Sequence, residues 1–180
     1  SYANIAGSPI VFTLGAAAVQ TFEAEFHDRV VLTFPADKVE QLVLRWPDRT
    51  LSFTRQARPT GPARWLPEPG IDITGFDLSK LDALVTSLSS LVTPRFVRYD
   101  GPFPSSSGLD HPQLTIEVVL GGKRETHALR LGNFRADDRL DATTASGSSG
   151  PVFVLAGPAW TELVKSPRPS SDLPDDVFAP

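Results

Sequence analysis

Residues 114–132 read LTIEVVLGGKRETHALRLG, two runs of alternating apolar and polar residues on either side of Gly121-Gly122. Alternation with a period of two is typical of strands that bury one face, and a glycine pair between two such runs is typical of a hairpin turn. The stretch therefore predicts two antiparallel strands. The predicted buried face holds Leu114, Ile116, Val118 and Leu120 in the first strand, and Leu129 and Leu131 in the second.

A second hairpin is predicted upstream of the first. VEQLVLRW (39–46) and LSFTR (51–55) both alternate, and PDRT between them is typical of a turn in which Pro47 fixes φ. Shorter strands are predicted at 8–14, 29–34, 94–100 and 151–156.

Two connecting stretches separate these elements. Residues 57–70 hold four prolines and two glycines, a density that excludes a helix or a central strand, and Trp65 is expected to anchor this stretch to the core. Residues 133–150 are polar and are interpreted as the connection to the last strand.

One helix is predicted at 77–92, DLSKLDALVTSLSSLV. Its apolar residues follow helical spacing, Asp77 is a suitable N-cap, and Thr93-Pro94 would end it. The apolar stripe comprises Leu78, Leu81, Leu84, Val85, Leu88, Leu91 and Val92.

The beginning and the end of the chain resemble each other. GSPIVFTLGAAAVQTF (7–22) and SSGPVFVLAGPAWTEL (148–163) share a strand-like phrase followed by a helix-like phrase. With an offset of 141, five positions of the first are identical in the second: Ser8, Val11, Phe12, Leu14 and Ala18. The repeat predicts that 1–34 is the closing strand–helix unit of one module plus a joint, that 35–165 is the next module, and that 166–180 is a tail.

The predicted fold class is therefore α+β. We expect antiparallel β-hairpins that form one or two sheets, with the leucine-striped helix at about 77–92 packed on one face and strand–helix units at both ends. The two strand–helix units are expected to occupy equivalent places in successive modules.

Several short motifs, in their order along the chain, resemble the bacterial domain-of-unknown-function family 4340. They are a Gly-Leu-Asp-x-Pro phrase at 108–112 before a strand, a hairpin that ends in Leu131-Gly132, and the strand VFVL (152–155) leading into a short final helix. The resemblance covers roughly 28–165. One departure is DRLDATTAS (138–146), where the family usually has a strand with an aromatic residue and an alanine.

The resemblance implies a protein that is anchored by one N-terminal membrane helix, lies outside the cytoplasmic membrane and often carries tandem copies. It also implies an association with ABC-type transporter components resembling gliding-motility auxiliary proteins, hence a protein partner in the cell envelope. The family has no established catalytic residues. The expected function is a non-enzymatic interaction or scaffold module.

Composition narrows the classes of partner and chemistry. The net charge of −4 and the absence of a basic run argue against nucleic acid, and no apolar run is long enough to insert this fragment in a membrane. The chain has no cysteine, which excludes disulfides and zinc–thiolate sites. No cofactor motif is present: Gly121-Gly122 turns a hairpin and is not a phosphate loop.

Two alternative functions remain open from the residues. A hydrolase could use Asp110, His111 and His127, although a proline-stiffened turn explains 110–112 more simply. A glycan-binding module could use Trp46, Trp65 or Tyr99.

Candidate ligand and metal contacts follow from the same residues. Trp65, Tyr99, His111 and His127 are the candidates for ligand or partner contacts. Asp137, Asp138 and Asp141 are weak candidates for a calcium site, because they lack the glycine and spacing of known calcium loops.

Overall fold

The computed structural model describes residues 2–4, 6–17, 28–58, 60, 63–71, 73, 76–122, 125–135, 139–157, 160 and 163–164. The strands in this part of the chain are β1 (Tyr2–Asn4), β2 (Val11–Thr13), β3 (Val30–Thr33), β4 (Val39–Arg45), β5 (Thr50–Gln56), β6 (Arg64–Pro67), β7 (Ser90–Val92), β8 (Arg95–Arg98), β9 (Leu114–Leu120), β10 (Thr126–Phe134), β11 (Arg139–Thr143) and β12 (Val152–Ala156). Helix α1 is Leu81–Ser89 and follows directly on a 3-10 turn at Leu78–Lys80.

Within the described residues, eight strands form one antiparallel sheet in the order β6-β5-β4-β9-β10-β11-β12-β8. Both predicted hairpins lie in it: β4 pairs with β5, and β9 pairs with β10. The two hairpins also pair with each other through β4 and β9, with Leu42 opposite Val118 and Leu44 opposite Ile116. This pairing joins their apolar faces into one continuous surface, which confirms the α+β class.

Helix α1 covers that surface. Leu81, Val85 and Leu88 are buried in the same core as Leu44 and Phe53 from the sheet. Burial of side chains of this size contributes about 1.5–3 kcal/mol each, so the helix–sheet contact is a main source of stability. The opposite face of the sheet carries a smaller cluster, in which Phe103 and Leu109 from the loop after β8 pack with Val152 of β12.

The predicted helix is shorter than 77–92 at its C-terminal end. Helix α1 stops at Ser89, and Leu91 pairs with Leu32 across the separate two-stranded sheet of β3 and β7. Extended backbone is favoured here because Thr93 precedes Pro94, and Val92 is β-branched. Leu91 is buried as a strand residue, and the apolar stripe also assigned it to the buried face of a helix, so its apolar character did not distinguish the two.

Asp77 is the N-cap of the 3-10 turn. Its Oδ1 accepts hydrogen bonds from the Ser79 backbone N at 2.9 Å and from Ser79 Oγ at 2.6 Å. These hydrogen bonds stabilise the carboxylate and lower the pKa of Asp77 below its usual value of 3.8.

Residues 133–150 contain β11, so their interpretation as a polar connection was wrong. Leu140 and Ala142 face the core, while Asp141 and Thr143 are buried on the other side of the strand. The polar residues can be buried because each has a partner: Asp141 pairs with Arg135, and Thr143 Oγ1 donates to the Pro151 carbonyl at 2.6 Å.

The two strand-like phrases of the repeat have different surroundings. β12 lies between β11 and β8 in the large sheet, whereas β2 pairs with β1 in a sheet of two strands. Most of the helix-like phrases, at 18–27 and around 158–165, lies outside the described residues, as does the tail at 166–180. Leu32 and Phe34, assigned to the joint, are buried in the core of the large sheet.

Candidate functional site

The loop that carries Asp110 and His111 is fastened to the end of β10. The Gln113 backbone N donates to the Leu131 carbonyl at 2.8 Å, and Asn133 Nδ2 donates to the Ser106 carbonyl at 3.0 Å. Leu109 is fully buried. The Gly-Leu-Asp-x-Pro phrase and the Leu-Gly end of the hairpin, separated in sequence, therefore meet in space.

Two glycines permit this contact. Gly108 has φ of +68°, which L side chains rarely adopt, and a Cβ there would lie 2.5 Å from Asn133 Oδ1. A Cβ at Gly132 would overlap the carbonyl oxygen of Ser107 and lie 3.1 Å from Leu109 Cδ2. The loop and the strand are thus too close at these two positions for any residue with a Cβ. We call this contact, formed by 105–113 with 130–133, the loop–strand junction.

Arg130 extends the junction to a second loop. Its guanidinium donates to the Leu109 carbonyl, and its Nη1 donates to the Gly147 carbonyl at 2.6 Å. The guanidinium carbon also lies 5.5 Å from the centre of the Phe103 ring. The Arg130 side chain therefore holds both the 101–113 loop and the 144–150 loop on the same face of the sheet.

Asp110, His111 and His127 do not come together. The loop joins β10 at Leu131, which is four residues from His127, and a strand rises about 3.3 Å per residue, so the two points are about 13 Å apart. Asp110 and His111 are exposed, whereas His127 lies on the core face opposite Val118. The geometry of a base with an orienting carboxylate is not formed by these three side chains.

His127 packs as part of the core margin. Its ring stacks on Phe34 with centroids 5.2 Å apart. Its Nε2 lies 3.3 Å from Glu125 Oε1, and this buried nitrogen has no hydrogen-bond partner. The contact is an ion pair only when the ring is protonated.

The three candidate aromatic residues line no common groove. Trp65 is buried on β6 at one edge of the large sheet, and Tyr99 follows β8 at the other edge, seven interstrand spacings away. Trp65 Nε1 donates to Asp82 Oδ1 at 3.0 Å, which confirms its expected role as an anchor to the core. Trp46 is half-buried beneath the Arg49 guanidinium, at 4.5 Å. Tyr99 is 47% exposed.

Asp141 is occupied by a guanidinium. Arg135 Nε lies 2.7 Å from Oδ1 and Nη2 lies 3.2 Å from Oδ2, and the Asp141 side chain is 4% exposed. Asp137 and Asp138 lie outside the described residues. Within the described ranges, no group of three or more potential metal ligands is assembled.

In the part of the chain that the structure describes, no helix is both long and apolar enough to cross a bilayer.

Exposed apolar side chains concentrate on β1, β2 and the turn between them. Val11 is 64% exposed and Phe12 is 39% exposed. The other large apolar side chains exposed in the described residues are Tyr2, Ile10, Val30, Val92 and Tyr99. Four of these seven therefore fall within a segment of twelve residues, 2–13, which we call the N-terminal hairpin. Such a concentration is typical of a contact surface.

The residues that organise the loops were not found from the sequence. Arg130 was interpreted as a solvated charge of the hairpin, and Asn133 as the first residue of the polar connection. The glycines at 108 and 132 were noticed only as parts of motifs.

The chain matches no protein-family model, no curated protein and no solved structure.

Proposed function

We propose that this chain is a non-enzymatic, extracytoplasmic interaction module of a membrane-anchored envelope protein, with a role beside ABC-type transporter components. The proposal takes its compartment, anchor and neighbours from the resemblance to family 4340. Its partner is a protein, because the net charge of −4 disfavours nucleic acid and the exposed side chains include large apolar ones.

The observation that carries the proposal is the loop–strand junction. Two short motifs on which the resemblance rests, 108–112 and 131–132, meet in space: a Cβ at Gly132 would lie 3.1 Å from Leu109 Cδ2, and Gly108 suits the loop because its φ is +68°. A pattern of separate short motifs gains weight when the motifs lie against each other in the fold. The same contact gives these residues a structural role, which supports a module whose motifs maintain its shape.

The polar side chains support the same proposal. Arg130 binds loop carbonyls, Arg135 binds Asp141, and Asp82 binds both Trp65 and Arg55, the last at 3.1 Å. These charged groups hold loops and edges to the sheet. Their positions suit a rigid module that presents its surface to another protein.

The test is the compartment of the natural full-length gene product. Alkaline phosphatase, which is active only outside the cytoplasm, is fused after Pro180, and a fluorescent protein that matures only in the cytoplasm is fused at the same point as the reciprocal control. We expect an active phosphatase and no fluorescence. Fluorescence without phosphatase activity would contradict the proposal.

A second arm tests for a protein partner in intact cells. A photo-crosslinking residue replaces the exposed Tyr99, and the matched control carries it at Thr86 on the exposed face of α1. We expect an adduct with another envelope polypeptide at Tyr99 and none at Thr86. Equal adducts at both sites would indicate random collision.

A further inference from the structure

The N-terminal hairpin repeats the pairing of β11 and β12. In the first hairpin Ala3 lies opposite Phe12, and in the second Ala142 lies opposite Phe153. Phe12 and Phe153 are the same position in the sequence repeat, and the strand phrase there is offset by 141. The repeat is thus present in the strand register as well as in the sequence.

The neighbouring pair follows from the same register. Tyr2 is opposite Thr13, as Asp141 is opposite Val154. In strands, alternate residues share a face, so Ala3, Phe12 and Leu14 correspond to residues that face the core in the second hairpin. Those residues are Ala142, Phe153 and Leu155, all of them buried.

The two hairpins differ in burial. Val152 and Phe153 are 0% exposed, whereas Val11 is 64% exposed and Phe12 is 39% exposed. A hairpin of two short strands is at best marginally stable in water, and exposed apolar residues beside an open strand edge favour strand addition. The N-terminal hairpin therefore has the sequence and register of a buried element without its surroundings.

The surroundings of β12 identify what the N-terminal hairpin lacks. β8 pairs with the edge of β12 that β11 leaves open, placing Arg98 opposite Val152 and Phe96 opposite Phe153. The Phe96 ring meets the Phe153 ring edge-on, with centroids 6.0 Å apart. The corresponding edge of β2 is unpaired in the described residues, and Val11 and Phe12 occupy the positions of Val152 and Phe153.

We propose that the N-terminal hairpin is the closing hairpin of a second module of this same construction, and that the open edge of β2 binds that module's counterpart of β8. The occupant is a strand with an aromatic residue at the position of Phe96, which packs on Phe12. The inference rests on the proposed function, since it names the partner that one face of the interaction module takes.

The test uses a chain extended at its N-terminus. Residues 28–140 of the same sequence, which lack a closing hairpin, are joined to Tyr2 of the otherwise intact chain. The natural sequence has no cysteine, so two engineered ones give an unambiguous disulfide. Val11→Cys is combined with Arg98→Cys in the added copy only. Directly paired residues of antiparallel strands lie about 4.5–5.5 Å apart at Cα, within the range of a disulfide.

We expect the disulfide to form on mild oxidation in the extended chain. In the matched control, Val11→Cys is replaced by Val92→Cys in the intact copy. Val92 is another exposed valine, and this cysteine pair should stay reduced. A second extended chain carries residues 28–164 as the added copy, which then has its own β11–β12 hairpin. Its Val11→Cys and Arg98→Cys pair should also stay reduced, because β8 of the added copy is already paired with that copy's own β12.

Each negative result is decisive. If the added 28–140 segment stays unfolded while the added 28–164 segment folds, the N-terminal hairpin cannot replace β11–β12 and the inference is wrong. If both segments fold and no disulfide forms, it is equally wrong. Both results come from purified protein, so they leave the compartment measured by the phosphatase fusion unaffected.

Discussion

Gly132→Ala tests the loop–strand junction directly. The added Cβ would overlap the Ser107 carbonyl oxygen, a backbone atom that the chain cannot simply move aside. The Ser107 backbone N and Oγ both bind the Pro104 carbonyl, at 2.9 and 2.6 Å, which holds this turn in place. Overpacking of a fixed contact costs about 1–3 kcal/mol, and we expect a value near the upper limit. For a chain of this size, about 3 kcal/mol corresponds to a fall in Tm of about 6–12 °C.

The free energy of unfolding from urea titration is the assay, with scanning calorimetry for Tm. The matched control is Gly147→Ala, because a Cβ at Gly147 meets nothing within 4 Å and its φ is not in the left-handed region. We expect that control to change stability by less than about 1 kcal/mol in either direction. A Gly132→Ala variant as stable as the Gly147→Ala variant would refute the close approach of loop and strand.

Two further substitutions test the polar contacts. Asp141→Asn removes the charge that Arg135 binds, and because Asp141 is buried while Arg135 is 35% exposed, we expect a loss of about 1–3 kcal/mol in urea unfolding. The control Glu117→Gln weakens a more exposed pair and should cost less than about 1 kcal/mol, so equal losses would contradict the assignment. Asp77→Asn should lower Tm at neutral pH, because the Ser79 hydrogen bonds lower the pKa of Asp77 and so stabilise the fold above pH 3.8. That difference should vanish as the pH falls through the lowered pKa of the folded state, and a difference that persists there would show another cause.

The large sheet could be predicted because its strands alternate. Leu42, Leu44, Ile116 and Val118 repeat every second residue, and the same alternation places them on one buried face. The helix end could not be fixed in this way. Leu91 satisfies both the helical stripe and a buried strand position, and only its pairing with Leu32 distinguishes them.

The missed strand β11 shows the limit set by polar composition. Asp141 and Thr143 read as loop residues until their partners, Arg135 and Pro151, are known. The junction was hidden for a related reason. Gly132 is one glycine among thirteen. A side chain is excluded there by Ser107 and Leu109, which lie more than twenty residues away in the sequence. Contacts that depend on tertiary approach leave no local pattern.

The central claim is that the N-terminal hairpin, exposed in this chain, packs into a second module of the same construction. Hydrogen exchange of the amides of Val11–Thr13 tests it most directly, compared between the 180-residue chain and the chain extended by residues 28–140. Amides in a paired, packed strand exchange only through opening, so the account predicts slowing on the order of tenfold or more in the extended chain. Equal exchange in the two chains, with the added segment folded, would contradict it.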